Sequence, residues 1–243
     1  MIQEIQYEKF IEKKSTDTAV IYGSGWSVNL LTSEQKERYS KLDSFSFNWF
    51  CKSQIPVKFY MLREQASTPS RSYSSESLVD LYREMNHLSY RDTTLFVSVS
   101  GYEFDESKYF MDLSKFNQSE YIVALEKKKD MKSRSSLWIK MNPFKDKIYH
   151  GMASLTNVLH AVVFMGYKEI IFVGVDLKDS RYFWLKEDQT RRSVKIKGKK
   201  FNSSHSTRNY ALDMIKFVQT NYCECSVSSI YSELSRRMKV DGV

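Results

Sequence analysis

Residues 154–176 constrain the fold of this chain more than any other stretch. Ser154–Met165 is apolar nearly all round, which is the pattern of a helix buried on every side. Gly166 follows it and suits a left-handed cap, the conformation that lets a chain reverse after a helix. The next run, Glu169-Ile-Ile-Phe-Val-Gly-Val-Asp176, is apolar on both faces and ends at an acid. A buried helix feeding a buried strand predicts a parallel sheet covered on both sides.

The rest of the chain repeats that alternation. Extended runs are expected at Thr18–Tyr22, Ser44–Phe50, Ile55–Met61, Thr94–Val99, Tyr121–Leu125 and, last, Glu224–Ile230. Helical spacing falls between them, at Leu78, Leu81 and Met85, near Glu106–Phe116, and over Thr207–Tyr222. Ala66–Glu76 is Ser-rich and reads as a loop, and Lys127–Arg134 as a solvated turn. The fold class is α/β, a doubly wound, mostly parallel sheet in one domain over residues 1–243. Hydrophobic residues at 42% and charged residues at 27% supply a core and exclude a disordered chain.

No run of about 18 apolar residues occurs, so no membrane span is expected, and the first ten residues lack the apolar core of a secretory signal. Cys51, Cys223 and Cys225 form no pattern for a disulfide framework or zinc and read as reduced thiols of a cytoplasmic protein. A net charge of +8 favours an anionic partner: nucleic acid, lipid headgroup or phosphate-bearing substrate.

Three segments carry candidate chemistry. Gly23-Ser24-Gly25-Trp26-Ser27 joins a strand to a helical stretch. It is either a tight turn or a place where backbone approaches a phosphate or ribose. It lacks the third glycine of a dinucleotide fingerprint and the lysine of a Walker A loop. Gly174-Val175-Asp176 ends the second strand, where open parallel sheets bind ligands; Asp176 either holds ribose hydroxyls or caps a helix. His205 stands in a polar stretch before a helix, where a neutral imidazole (pKa about 6.5) could take a proton from a hydroxyl. His160, inside the buried helix, reads as structural.

Between the last two lies Arg181–Lys200, with a net +6 and Tyr182, Phe183 and Trp184 at its head. It is a solvated loop, a nucleic-acid-binding strip or a lid over an anionic donor. No Asp-x-Asp pair occurs, and Glu103-Phe-Asp105 is the nearest approach to one, so no metal site is expected.

These pieces, in this order, resemble the bacterial sialyltransferases of glycosyltransferase family 42. That family's Gly-Asn-Gly-Pro-Ser loop corresponds to Gly23-Ser24-Gly25-Trp26-Ser27, and its Asn in a Phe-rich second strand to Asn48. The similarity is tightest over about 151–182, and the family's His-Ser motif falls on His205-Ser206. The resemblance implies a Rossmann-like sheet of the GT-A type and an inverting, metal-independent transfer from a CMP-activated sugar, with no cofactor. It implies His205 as general base, with Tyr182 and Lys178 stabilising the departing phosphate. Gly23, Ser24, Gly25, Ser27 and Asn48 would hold the nucleotide, Ala153 and Ser154 would lie beside the donor, and Gly174, Val175 and Asp176 at the cytidine. Phe183–Ser204 corresponds to the family's flexible lid.

The chain departs from the family at four positions: Lys178 replaces a second phosphate tyrosine, Met61 an Asn, Gly151 an Arg and Ala153 a Thr. These differences bear on the donor sugar, sialic acid or a related 2-keto sugar acid, more than on the fold. The expected acceptor is a glycan or glycolipid of bacterial surface polysaccharide such as lipopolysaccharide or capsule. The basic Arg236, Arg237 and Lys239 could touch the inner membrane peripherally. The family's tetramers imply a homo-oligomer. Two other readings stand beside this one: a Mg²⁺-dependent pterin diphosphokinase relative, and a nucleic-acid-binding module.

Overall fold

Short runs of β-branched and aromatic residues give the strands of one parallel sheet, seen in a computed structural model that describes residues 2–64, 75–99, 112–128, 141–150, 153–176, 182–186, 205–222 and 226–229. The strands are β1 (Gln3–Glu4), β2 (Thr18–Tyr22), β3 (Asp43–Phe47), β4 (Phe59–Glu64), β5 (Thr94–Val99), β6 (Glu120–Lys128), β7 (Ile148–His150), β8 (Glu169–Val173) and β9 (Ser226–Ser229). Their order is β1-β6-β5-β4-β3-β2-β8-β9, with β7 added against β6. Every strand pairing among the described residues is parallel. The helices are α1 (Tyr7–Glu12), α2 (Ser33–Ser40), α3 (Ser75–Met85), α4 (Ser154–Phe164) and α5 (His205–Asn221). The α/β class and the mostly parallel sheet expected from the sequence are what the chain adopts.

Alternation along the strands sorts the core into two layers. Ala19, Ile21, Phe45, Phe59, Met61, Phe96, Ile170 and Phe172 pack with Phe10 of α1, with α4, and with Ala211, Met214, Ile215 and Val218 of α5. Val20, Tyr22, Tyr60, Leu62, Leu95, Ile171 and Val173 face the other way, onto Tyr39 of α2 and Met85 of α3. Each fully buried Phe contributes about 2 kcal/mol, and several stack in register, Phe45 on Phe59 with ring centres 4.6 Å apart. Helix α4 is buried from Leu155 through Val163, as its composition requires, and Gly166 takes φ +72 just after it. Helix α2 starts on a reciprocal cap between Thr32 and Gln35, worth about 1 kcal/mol.

Several boundaries differ from expectation. β3 stops at Phe47, and the alternating Asn48-Trp49-Phe50 enters a 3₁₀ turn at Phe50–Ser53. β4 begins at Phe59 rather than Ile55, because Pro56 has no amide hydrogen to give the ladder. β6 runs into the basic patch as far as Lys128, because β7 pairs with its end. The expected helix at 106–116 shows only a 3₁₀ turn, Leu113–Lys115, and 106–111 lie outside the described residues. So do 65–74, Cys223, Cys225, the C-terminal basic residues and, apart from 183–186, the expected lid. No helix among the described residues is long and apolar enough to cross a membrane.

The amino-terminal edge of the sheet is closed by a buried carboxylate. Asp43, 1% exposed, accepts hydrogen bonds from Ser15 N (2.6 Å) and Oγ (2.6 Å), Thr16 N (3.1 Å), Lys58 Nζ (2.6 Å) and Tyr167 OH (2.9 Å). Burial opposes its ionisation, but the bonds from Lys58, Ser15 and Thr16 outweigh it and hold the pKa below the ordinary carboxylate value. The stabilisation is therefore present at neutral pH and is lost as pH falls below about 4, through the folded-state pKa. Asp43→Asn is expected to cost about 2 kcal/mol at pH 7, less than a fully buried ion pair because Lys58 can regain water. The variant should lack this part of the wild-type acid dependence. Urea unfolding at pH 7 and at pH 3.5 measures both.

Candidate active site at the carboxyl edge of the sheet

The strand order reverses at β2. The chain winds from β2 through β3, β4 and β5 to β6 on one side, then returns over α4 to lay β8 against the other. In open parallel sheets such a switch leaves a crevice beyond the carboxyl ends of the two central strands. The segments that leave those strands here are Gly23–Ser27 and Gly174–Asp176, so two motifs far apart in sequence meet at the switch point.

They interlock. Gly25 N donates to Gly174 O (2.8 Å) and Gly174 N to Ser27 Oγ (3.0 Å). Ser27 donates its amide to Asp176 Oδ2 (2.7 Å) and its hydroxyl to Asp176 Oδ1. Asp176 thus caps the 3₁₀ turn Trp26–Leu30 from another strand, the helix-cap alternative among the two readings of its sequence position. The glycines serve this contact. A Cβ on Gly23 would overlap the Gly174 carbonyl, one on Gly25 would lie 2.5 Å from Asp176 Oδ2, and one on Gly174 (φ +68) would overlap Gly23 O. Ser27 and Asp176, 1% and 4% exposed, form a buried clasp between the two loops, and Val175 is buried in the core.

A third segment crosses this pair. Tyr182 forms an antiparallel bridge with Gly25, Phe183 N donates to Ser24 O (3.3 Å), and Asn29 Nδ2 donates to Phe183 O (2.9 Å). The Phe183 ring meets buried Phe50 edge-on at 5.9 Å. Tyr182, expected near a leaving phosphate, is therefore seated on the glycine loop. Two buried hydroxyls near the carboxyl ends of β2 and β3, Ser24 Oγ and Ser46 Oγ, have no hydrogen-bond partner among the described residues. Ser24 is a position where the sequence predicts ligand contact. Ser46 carries no such signal, since a serine between two phenylalanines reads as strand filler.

Asn48 lies just past β3, exposed and in the left-handed region at φ +58, which Asn tolerates better than most residues. The Tyr60 hydroxyl fixes this corner, donating to Asn48 O (2.7 Å) and accepting from Cys51 N (2.9 Å). Burial pushes its pKa well up, so it stays protonated and can do both. Met61, at a departure position, is core. Ala153 is the N-cap of α4 and Ser154 its first residue, and the Ala153 side chain offers no capping hydrogen bond. Because α4 packs on β3 and leads into β8, its start faces the carboxyl edge.

His205 opens α5. The helix ends at Asn221, shortly before β9 enters from the amino edge. Its 17 residues extend about 25 Å back, which brings position 205 to the carboxyl edge. Lys178, Arg181 and Gly151 lie outside the described residues. His160 is structural as expected, its Nδ1 accepting from Tyr149 N (3.0 Å) and its Nε2 set to donate to Met141 O (3.1 Å).

No protein-family model matches the chain, and no curated protein matches it by sequence. Among solved structures, it is similar to the monofunctional alpha-2,3-sialyltransferase Cst-I from Campylobacter jejuni, with 13% identity and a TM-score of 0.46 over 93% of this chain and 83% of that one.

Proposed function

We propose that this chain is an inverting, metal-independent glycosyltransferase of GT-A type, moving sialic acid or a related 2-keto sugar acid from a CMP-activated donor to a glycan or glycolipid. The observation that carries the reading is the meeting of Gly23–Ser27, Gly174–Asp176 and Tyr182 at the switch point of a parallel sheet. Those are the segments whose sequence resembles the nucleotide-sugar site of the family. In this reading the backbone of the glycine loop, Ser24 and Asn48 receive the nucleotide, and Ala153 and Ser154 lie beside the donor. Ser27 and Asp176 act by holding the two loops together.

Substitution at a sugar centre with oxocarbenium character needs a base on one face and phosphate stabilisation on the other. His205 takes the proton of the acceptor hydroxyl. Tyr182 and Lys178 stabilise the departing phosphate, and of the expected lid the part after Lys186 closes over the donor and excludes water, with Phe183 seated on the glycine loop and Phe50, and Trp184 on Tyr182. The chain acts on the cytoplasmic side, and a glycolipid acceptor brings it to the inner membrane.

A thermal-shift screen tests the nucleotide class. CMP and CDP at 100-fold over their Kd should stabilise the protein by about 2.7 kcal/mol, a shift of several degrees, with UMP, GDP and ATP inactive. Transfer from a CMP-sugar should persist in a chelator. Stabilisation by ATP with Mg²⁺ and none by CMP would overturn the reading in favour of a diphosphokinase, and steeply salt-dependent RNA or DNA binding in favour of a nucleic-acid module.

A further inference from the structure

Beside the interlocked loops, two indoles flank one ammonium. Lys52 Nζ lies 5.5 Å from the centre of the Trp49 ring and 5.9 Å from that of Trp184. Trp49 and Lys52 belong to the corner after β3 that the Tyr60 hydroxyl pins at Asn48 and Cys51. Trp184 comes from the segment that bridges Gly25. Tyr182 stacks on it, with ring centres 4.3 Å apart and planes 9° apart, and Phe183 meets its edge at 84°. Trp49, Lys52, Tyr182 and Trp184 are all half-buried, and Asn48 next to them is exposed.

Trp49 packs against the outer core layer, but core packing does not account for Trp184. The segment turns Phe183 inward onto Phe50 and leaves the larger Trp184 at the surface, held by Tyr182. An aromatic wall with one cation in it, on the β3 side of the glycine loop, suits an anionic ligand with an apolar face. Sugar rings present an apolar C–H face to an indole, and a carboxylate on such a ring pairs with an ammonium.

We infer that Trp49, Lys52 and Trp184 form the acceptor subsite and take an acidic sugar of the acceptor glycan. The inference rests on the glycosyl-transfer reading, because only that reading puts a second carbohydrate next to the nucleotide. It adds that the acceptor is itself anionic, and that the preference is set from the corner after β3.

Tryptophan fluorescence tests it directly on the full chain, without transfer. Titration with sialyllactose should shift the emission, and lactose should bind about tenfold more weakly. Lys52→Ala should erase that difference, and Lys52→Arg should keep it. Trp184→Ala should weaken sialyllactose about tenfold while its CMP-induced thermal shift stays that of the wild type, which also shows that the variant is folded. Equal binding of both sugars by the wild type, or unchanged sialyllactose binding by both alanine variants, would overturn the inference. So would a CMP titration that perturbs Trp49 and Trp184 when neither sugar does, since the indoles would then belong to the nucleotide site. Loss of CMP binding in the wild type would instead sink the transferase reading, a separate result in the same experiment.

Discussion

Gly174→Ala is expected to lower the thermal unfolding midpoint by about 10 °C, corresponding to about 4 kcal/mol for a chain of this size. Two costs add. Gly174 sits at φ +68, where an alanine costs about 1–2 kcal/mol. The new methyl would also overlap the Gly23 carbonyl and come within 2.7 Å of a Val28 methyl. Neither neighbour can give way. Gly23 N is bonded to Val173 O at 2.7 Å and Gly25 N to Gly174 O at 2.8 Å, and Val28 is core. The loops must separate, which breaks the Ser27–Asp176 clasp as well. Gly166→Ala is the control, because Gly166 has nearly the same φ (+72) but nothing within 4 Å of its added Cβ. It should cost only the backbone strain, so the difference between the variants measures loop contact alone. Equal losses would show that the interlocking contributes nothing. Under the proposed function, Gly174→Ala also loses the CMP-dependent shift at temperatures where it remains folded.

The same contact marks how far sequence reasoning reaches. Ser154–Asp176 is legible because burial on every side leaves room for few polar residues, each of which must find a partner inside, as His160 does. The Thr18–Tyr22 strand and its glycine loop were legible for the same local reason. What the glycines are for was not. A glycine required by a phosphate and one required by a neighbouring carbonyl look identical, and the neighbour here is about 150 positions away. The alternation Phe45-Ser-Phe-Asn-Trp-Phe50 likewise continued past the true strand end, because the signal that ends β3 is the hydroxyl of Tyr60, brought alongside only when β4 pairs with β3. Asp43 carried no sequence mark either, since its donors come from segments far apart in the chain. The aromatic–lysine wall needed the crossing of residues 182–186 over the glycine loop, a long-range event with no local pattern.

His205→Ala is expected to reduce transfer about 10³-fold, a loss of about 4 kcal/mol in transition-state stabilisation, while the CMP-induced thermal shift stays that of the wild type. The acceptor hydroxyl is a poor nucleophile until its proton leaves, and an imidazole is the side chain whose neutral form is abundant near pH 7. Position 205 begins α5, whose far end leads into β9 at the opposite edge, and the general-base role belongs to the proposed function. A structural role would make a different prediction. If His205 only filled the first turn of the helix, His205→Asn, of similar helix propensity, would restore transfer along with stability. If it is the base, His205→Asn stays as slow as His205→Ala, since an amide cannot take the proton. The pH profile separates the cases again. Wild-type transfer should fall on the acid side as the imidazole is protonated, and the slow residual rate of either variant should lack that limb. Wild-type-like transfer by His205→Ala would remove the assigned base, and with it the mechanism built on the order of motifs from Gly23 to His205.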